Sequence, residues 1–173
     1  MNEILNAIEE RRSIKKYKEE MPAEELIDKV ISAGLAAASG RNLQGAIIVA
    51  VTNKEIRDRL SACNAEVMGA SSDPFYGAPA VLVVLADKAV RTSIYDASLV
   101  AGNIMLAAHS LGLGCCWIHR AKEVFNRPEW QEYLKSIGVD GQWEGVANMI
   151  LGYRDGDYPD PKPRLPGRVY KVK

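Results

Sequence analysis

The segment Ala80 to Leu85 reads Ala-Val-Leu-Val-Val-Leu, with no polar residue and no alternation. A strand with one wet face alternates apolar and polar side chains, because successive residues point to opposite faces. A strand-length run without alternation therefore has to be covered on both sides. That requirement predicts a sheet lying between layers of helix. Three further segments have strand character: Ala46 to Val51, Leu113 to Ile118 and Gly145 to Gly152.

Helical patterns fill the intervals. Ile4, Leu5 and Ile8 recur at helical spacing and predict a helix from about residue 2 to Arg12. Leu26, Ile27, Val30 and Ile31 form the buried stripe of a second helix that starts after Met21-Pro22 and stops at Gly40. Asn53 is placed to cap a third, Lys54 to Leu60 and on through Met68. Gly69 to Pro74 is a loop. Ser93 with Asp96 resembles a capping box for a long helix ended by Gly112. Pro128 opens a last helix through about Ile137. Beyond Tyr158 four prolines in nine residues exclude helix and central strand. An extended arm is expected there, with Arg168 to Val172 adding an edge strand.

Composition narrows the function classes. The chain has 173 residues, 22 basic and 22 acidic, with 47% apolar and 25% charged side chains. These are the proportions of a soluble globular domain. A folded monomer of this size exposes roughly 8,000 Å², against about 27,000 Å² for the open chain. Zero formal net charge argues against a general nucleic-acid binder, which needs a basic excess. The longest apolar stretches, Ala78 to Ala86 and Leu99 to Ala108, are too short to span a bilayer. Met1 to Leu5 shows no basic segment leading into an apolar core, so no signal peptide is expected. Three cysteines, two of them adjacent, make a poor disulfide framework and point to a reducing cytoplasm.

No GxGxxG or GxxxxGK motif follows a strand, and no Ser/His/Asp or Cys/His constellation is evident. Three polar clusters remain. Arg11-Arg12-Ser13-Ile14-Lys15-Lys16-Tyr17 stands where the first helix ends. Its cations either answer the negative end of that helix or form an anion site, with Arg as a bidentate clamp and Ser as a neutral donor. Lys162-Pro163-Arg164 is either a solvated tail or a second half of the same site. Ser39-Gly40-Arg41-Asn42-Leu43-Gln44 is either an ordinary polar turn or a set of amides able to read the mixed donor–acceptor edge of a flavin or a base.

Together these pieces resemble the FMN-dependent nitroreductase family. Arg11-Arg12-Ser13-Ile14-Lys15 is similar to its R-R/H-S-x-R/K motif, and Ser39 to Gln44 to its S-x-x-N-x-Q motif. Ala78-Pro79 with the strand after it, the run from Asp96 to Gly114, and Leu151-Gly152-Tyr153 follow in the family's order. The resemblance implies an α+β fold: a mainly antiparallel sheet sandwiched by helices. It implies a homodimer in which residues 1–157 form one FMN-binding domain and residues 158–173 an arm embracing the partner subunit. It implies tightly bound FMN, reduced by NADH or NADPH, with hydride passing through flavin N5 to nitroaromatic, quinone or similar acceptors. Arg11, Ser13 and Lys15, with Arg12 nearby, would hold the phosphate and ribityl chain, and Lys162 and Arg164 would approach the same phosphate. Ser39, Arg41, Asn42 and Gln44 belong to the cofactor set, with Asn42 and Gln44 facing the ring from the partner. Ile118, His119 and Arg120 would lie beside N5 and O4.

The sequence departs from the pattern in places. Gly45-Ala46 follows the Gln where many members carry Pro-Trp, and His119-Arg120 stands where several have Glu-Gly. The chain is shorter than those members, around Ser61 to Tyr76 and between Gly114 and Gly145, where they build a lid. Phe75 and Tyr76 either line an aromatic substrate pocket or anchor their loop to the core. His119 is either a substrate contact and proton donor or a strand-end residue, and His109 a packed or interface residue. Cys115 and Cys116 are expected to be structural, and no metal site is expected. Two other classes stay open: a flavin-binding carrier with little turnover, and a related flavin reductase with a different acceptor. A fourth reading has the clusters as surface residues with no flavin bound.

Overall fold

The computed structural model describes residues 2–173; Met1, the first residue of the N-terminal stretch considered above, lies outside them. Four strands form one sheet in the order β1-β2-β4-β3: β1 (Ala46–Val51), β2 (Ala80–Asp87), β3 (Gly114–Ile118) and β4 (Trp143–Gly152). Every neighbouring pair is antiparallel. The helices are α1 (Glu3–Glu10), α2 (Glu24–Leu35), α3 (Lys54–Met68), α4 (Ser93–Ser110), α5 (Ala121–Phe125) and α6 (Pro128–Ser136), with a short 3-10 turn at Gly40–Asn42.

β2 shows why its sequence does not alternate. Val81, Val83 and Leu85 face one core with Leu60 of α3, Val124 and Phe125 of α5, and Trp130 and Leu134 of α6. Ala80, Leu82, Val84 and Ala86 face a second core with Ile27 and Val30 of α2 and Ala97, Ala101, Ile104 and Ala108 of α4. Both faces are dry, as the run requires. The same parity separates the two adjacent cysteines. Cys116 packs in the first core and Cys115 in the second, both as free thiols.

Several local signals act as read. Asn53 accepts a hydrogen bond from the Ile56 N–H and starts α3, and Gly69 ends it at φ 70°. Gly145 is required by close approach: a Cβ there would stand 2.2 Å from the Ala121 carbonyl oxygen. It also borders a register slip, in which Val84 pairs with Ala147 and Leu85 with Gly145, leaving Val146 as the bulged residue.

Other expectations are corrected. Pro22 precedes α2, whose N-cap is Ala23, and the helix ends at Leu35 rather than Gly40. Ser93 and Asp96 do not form a capping box, since Thr92 is the N-cap of α4 and makes no side-chain cap bond. The Ser93 hydroxyl donates to the Asp87 carbonyl, and Asp96 accepts from the Gly40 N–H (3.0 Å) and the Thr92 hydroxyl (3.0 Å). A 56-residue tertiary contact outcompetes the local cap. β3 starts at Gly114 rather than Leu113, and β4 at Trp143 rather than Gly145. α5 carries no periodic pattern to betray it, because five residues make little more than one turn. Arg168 to Val172 forms no edge strand; these residues are exposed and pair with no strand of the chain. The single chain exposes 10568 Å², well above the value scaled from its mass.

Among the described residues no helix is long and apolar enough to cross a membrane.

Candidate functional site

Residues 13–18 leave α1 and run beside the end of the sheet. Ser13 bridges Cys115 in parallel, the Ile14 N–H donates to the Cys115 carbonyl (3.1 Å), and the Lys18 N–H to the Tyr153 carbonyl (2.9 Å). The fit depends on Gly114, where a Cβ would come within 2.9 Å of the Ile14 side chain. This zipper holds Arg11 to Lys15 against β3. The chain after β4 then returns to the same place: the Asp155 N–H donates to the Lys16 carbonyl (3.0 Å), and the Arg12 N–H to the Tyr158 hydroxyl (2.9 Å).

The result is a cleft of about 990 Å³ between the two chain ends, lined by Arg11, Arg12, Ser13 and Lys15 on one side and Lys162 and Arg164 on the other. Seven cationic and four anionic side chains line it. One of those acids is already used, since Asp155 pairs with Lys16 at 2.8 Å. The two basic clusters, some 150 residues apart in sequence, thus meet within one chain.

The arginines differ in what they have to spare. Arg12 Nη1 donates to three carbonyls at the end of α1, those of Glu9 (2.7 Å), Glu10 (2.9 Å) and Arg11 (3.0 Å). That is the helix-end role for Arg12, with its buried Nε left over. Arg11 Nη1 is buried without a hydrogen-bond partner. A guanidinium nitrogen withdrawn from water and left unpaired is costly, and a phosphate oxygen is the acceptor chemistry that would satisfy it. The residues present therefore fit an anionic phosphate group.

Ser13 and Lys15 also line a second cavity of about 380 Å³, together with Tyr76, Cys116, Ile118, His119 and Arg120. Lys15 Nζ lies 5.5 Å from the Tyr76 ring centroid. Burial pushes the Cys116 thiol up, against the opposing Ser13 hydroxyl and the charges of Lys15 and Arg11, so it stays protonated at neutral pH. Phe75 does not reach this cavity. Its ring is wholly buried, with the Arg57 guanidinium over it, so Phe75 anchors the loop and Tyr76 alone faces the cavity.

Asp73 organises that loop. It accepts from the Ser61 hydroxyl, the Arg57 guanidinium and the N–H groups of Phe75 and Gly77. Burial alone would raise its carboxyl, but these four donors together hold it below the ordinary carboxylate value.

Two further residues, absent from the sequence reading, fix the other wall. Asn64 and Asn148 are fully buried and both donate to the His119 carbonyl, at 2.9 and 3.4 Å. Arg120 Nε donates to Asn64 Oδ1 at 3.0 Å. Asn148 carried a usable signal, being a polar residue in the apolar run of β4. Asn64 lies on an ordinary helix and carried none.

Ser39 and Gln44 line a third cavity, with Leu35, Ile48, Asp96 and Val100, that shares no wall with the other two. Arg41, Asn42 and Gln44 all have positive φ (54°, 55° and 51°), unusual for residues with a Cβ. Gln44 Nε2 donates to Asn42 Oδ1 at 3.2 Å, and the Gln44 N–H to Ser39 Oγ at 3.1 Å. Within one chain this loop does not join Arg11 and Lys15. Among the described residues no group of three or more His, Cys, Asp or Glu is placed to hold a metal ion.

Fold and cleft define a class: a four-stranded antiparallel sheet between helical layers, with a cation-lined cleft where the chain ends meet. The chain belongs to the nitroreductase family, whose profile matches residues 8–74 and 64–153. An NADPH-flavin oxidoreductase of Vibrio harveyi is 31% identical over 98% of this chain and 72% of its own length. A Methanothermobacter thermautotrophicus protein, provisionally named an NADH dehydrogenase/NAD(P)H nitroreductase, is 34% identical over 66% of this chain and 60% of itself. Among solved structures, a Bacteroides fragilis nitroreductase with bound FMN superposes with a TM-score of 0.89 at 27% identity, covering 100% of both chains. Shortness therefore does not set this chain apart from that structure.

Proposed function

We infer that this chain, an FMN-dependent NAD(P)H oxidoreductase of the nitroreductase family, works as a cytoplasmic homodimer that reduces nitroaromatic, quinone or similar small-molecule acceptors. The observation that carries the reading is the buried, unpartnered Arg11 Nη1 in a cleft shared by the N-terminal basic cluster, Lys162 and Arg164. FMN held by these residues would supply the redox chemistry, hydride transfer between NADH or NADPH and the acceptor through N5.

The residues bind and orient. Arg11 and Lys15 are the charged partners of the phosphate, and Ser13 is a neutral donor to the phosphate and ribityl chain. Arg12 holds the end of α1 beside them. Lys162 and Arg164 approach the same phosphate from the arm. The backbone from Ile118 to Arg120, pinned through Asn64 and Asn148, serves the N5 and O4 edge of the ring, and Tyr76 bounds the acceptor space. Ser39, Arg41, Asn42 and Gln44 serve the ring of the partner subunit, which their separation from the cleft within one chain supports.

Two observations support the homodimer. The apolar stripe of α1 finds no cover within the chain, with Ile4 68%, Leu5 51% and Ile8 49% exposed, and Tyr95 and Leu99 of α4 are similarly bare. The surface beyond the scaled monomer value is what a chain that buried further area against a second copy would carry.

The test is a visible spectrum of the purified protein, followed by anaerobic titration with NADH and NADPH. Flavin bands that bleach with either nucleotide are expected. Bands that persist would make the protein a flavin carrier, and a protein still colourless after FMN is added would overturn the reading. Arg11→Ala is expected to weaken FMN binding by about 2–4 kcal/mol, by stranding a charged phosphate oxygen.

A further inference from the structure

Arg41, Asn42 and Gln44 occupy the left-handed region, at φ 54°, 55° and 51°, which residues with a Cβ enter at a free-energy cost. Packing does not offset that cost, because all three side chains and that of Leu43 are exposed. The loop's own bonds set its shape. The Asn42 N–H donates to the Ser39 carbonyl (3.0 Å), the Leu43 N–H to the Gly40 carbonyl (3.1 Å) and the Gln44 N–H to Ser39 Oγ (3.1 Å). None of these bonds fixes where the loop stands on the molecule.

Among the described residues two hydrogen bonds tie residues 39–45 to the rest of the chain, one at each end. The Asp87 N–H donates to the Gly45 carbonyl (2.8 Å), which continues the ladder of β1 and β2. At the other end the Gly40 N–H donates to Asp96 Oδ1 (3.0 Å). Asp96 is 5% exposed in the first turn of α4, and its second oxygen accepts from the Thr92 hydroxyl (3.0 Å). It pairs with no cation among the described residues. The carboxylate is therefore oriented by Thr92 and favoured by the positive end of α4 rather than by a salt bridge. Gly40 lies so close to the start of α4 that a Cβ would stand 2.5 Å from Thr92 Oγ1. One buried carboxylate thus seats the strained loop on α4.

We propose that Asp96 is a positioning residue for the flavin site: through Gly40 it sets where Asn42 and Gln44 stand, and so how their amides meet the ring. The proposal rests on the reading above, in which this loop serves the flavin ring of the partner subunit. Asp96 acts through the loop rather than on the ring. Its effect falls on the ring and not on the phosphate, because Arg11, Ser13 and Lys15 belong to a separate cleft.

The test measures FMN and riboflavin dissociation constants of the full-length protein by fluorescence titration, well below its thermal midpoint. The proteins compared are the wild type, Asp96→Ala, Asp96→Asn and Gly40→Ala. Asp96→Ala is expected to weaken both flavins alike, by about tenfold, since both carry the ring and only FMN the phosphate. Asp96→Asn keeps an oxygen for the Gly40 N–H and gains an amide that can donate to the Thr92 oxygen, so both affinities are expected to return to within about threefold of the wild type. Gly40→Ala leaves the carboxylate in place but pushes the loop away from Thr92, so it is expected to repeat the Asp96→Ala loss. Gly40 lies outside both hydrophobic cores, so this variant is expected to fold even where Asp96→Ala does not.

Unchanged flavin affinities in Asp96→Ala and Gly40→Ala, whatever happens to their thermal midpoints, would leave Asp96 a structural residue and overturn the proposal. So would a loss confined to FMN, which would place the effect at the phosphate. A loss in Asp96→Asn as large as in Asp96→Ala would put the effect in the charge rather than in the contact with Gly40, and would overturn it too. The same holds if sedimentation equilibrium shows flavin lost only where the dimer is lost. A wild-type protein that binds neither flavin would sink the flavin reading itself, a result distinct from all of these.

Discussion

The hydroxyl of Tyr158 lies 2.9 Å from Nδ1 of His109 on α4 and accepts the Arg12 backbone N–H, also at 2.9 Å. The contact stands in either imidazole tautomer, because a phenol oxygen that accepts the Arg12 N–H keeps both its own proton and a second lone pair. The Arg154 guanidinium stacks 5.3 Å from the phenol centroid. One side chain thus ties the start of the C-terminal arm to both the α1 end and α4, just before Lys162 and Arg164 reach the cleft. Tyr158→Phe removes both hydrogen bonds and keeps the ring. FMN affinity is expected to drop about fivefold to thirtyfold, at about 1–2 kcal/mol, while riboflavin affinity, which lacks the phosphate, stays within twofold. Parallel fluorescence titrations with the two flavins check this; equal losses for both would place the effect in the fold rather than in the arm.

The two buried asparagines should behave differently. Asn64→Leu strands the Arg120 Nε and takes one donor from the His119 carbonyl, so a loss of about 2–3 kcal/mol is expected. Asn148 makes only the 3.4 Å contact and leaves its Oδ1 buried without a partner. Asn148→Leu replaces that orphan with apolar atoms of similar volume, so a change within about 1 kcal/mol is expected. Urea denaturation midpoints at constant slope measure both.

Asp73 links stability to acid. Its folded-state carboxyl is held below the ordinary value of 3.8, so the unfolded chain binds the proton more readily. Its contribution is complete above that value and is lost as pH falls from there through the folded value. Asp73→Asn should lower stability at neutral pH and flatten the acid limb below about pH 4. Thermal midpoints collected from pH 7 down to 2.5 test it; an acid limb as steep as in the wild type would remove Asp73 as a contributor.

The bare stripe of α1 can be tested directly. Leu5→Glu places a charge in the middle of the face that the homodimer would bury. Sedimentation equilibrium should give about twice the 19.0 kDa chain mass for the wild type and a shift toward the single chain for the variant. Equal masses for the two proteins would leave α1 outside the interface.

Much of the scaffold was legible because its determinants are local. The unbroken run of β2 could satisfy its side chains only between two helical layers. Asn53 and Gly69 bound α3 through contacts a few residues long, and Pro128 does the same for the start of α6. The basic clusters were visible as charges in sequence. What they join was decided by the tertiary structure. Arg12 meets Tyr158 across 146 residues, and Arg120 meets Asn64 across 56. The capping-box expectation failed at Asp96 for the same reason, since a distant Gly40 N–H took the carboxylate. Local periodicity and turn chemistry act over one or two helical turns, and a sequence pattern records them. Which buried polar group completes another's hydrogen bonds depends on how the layers pack, and only the folded chain brings those partners within reach.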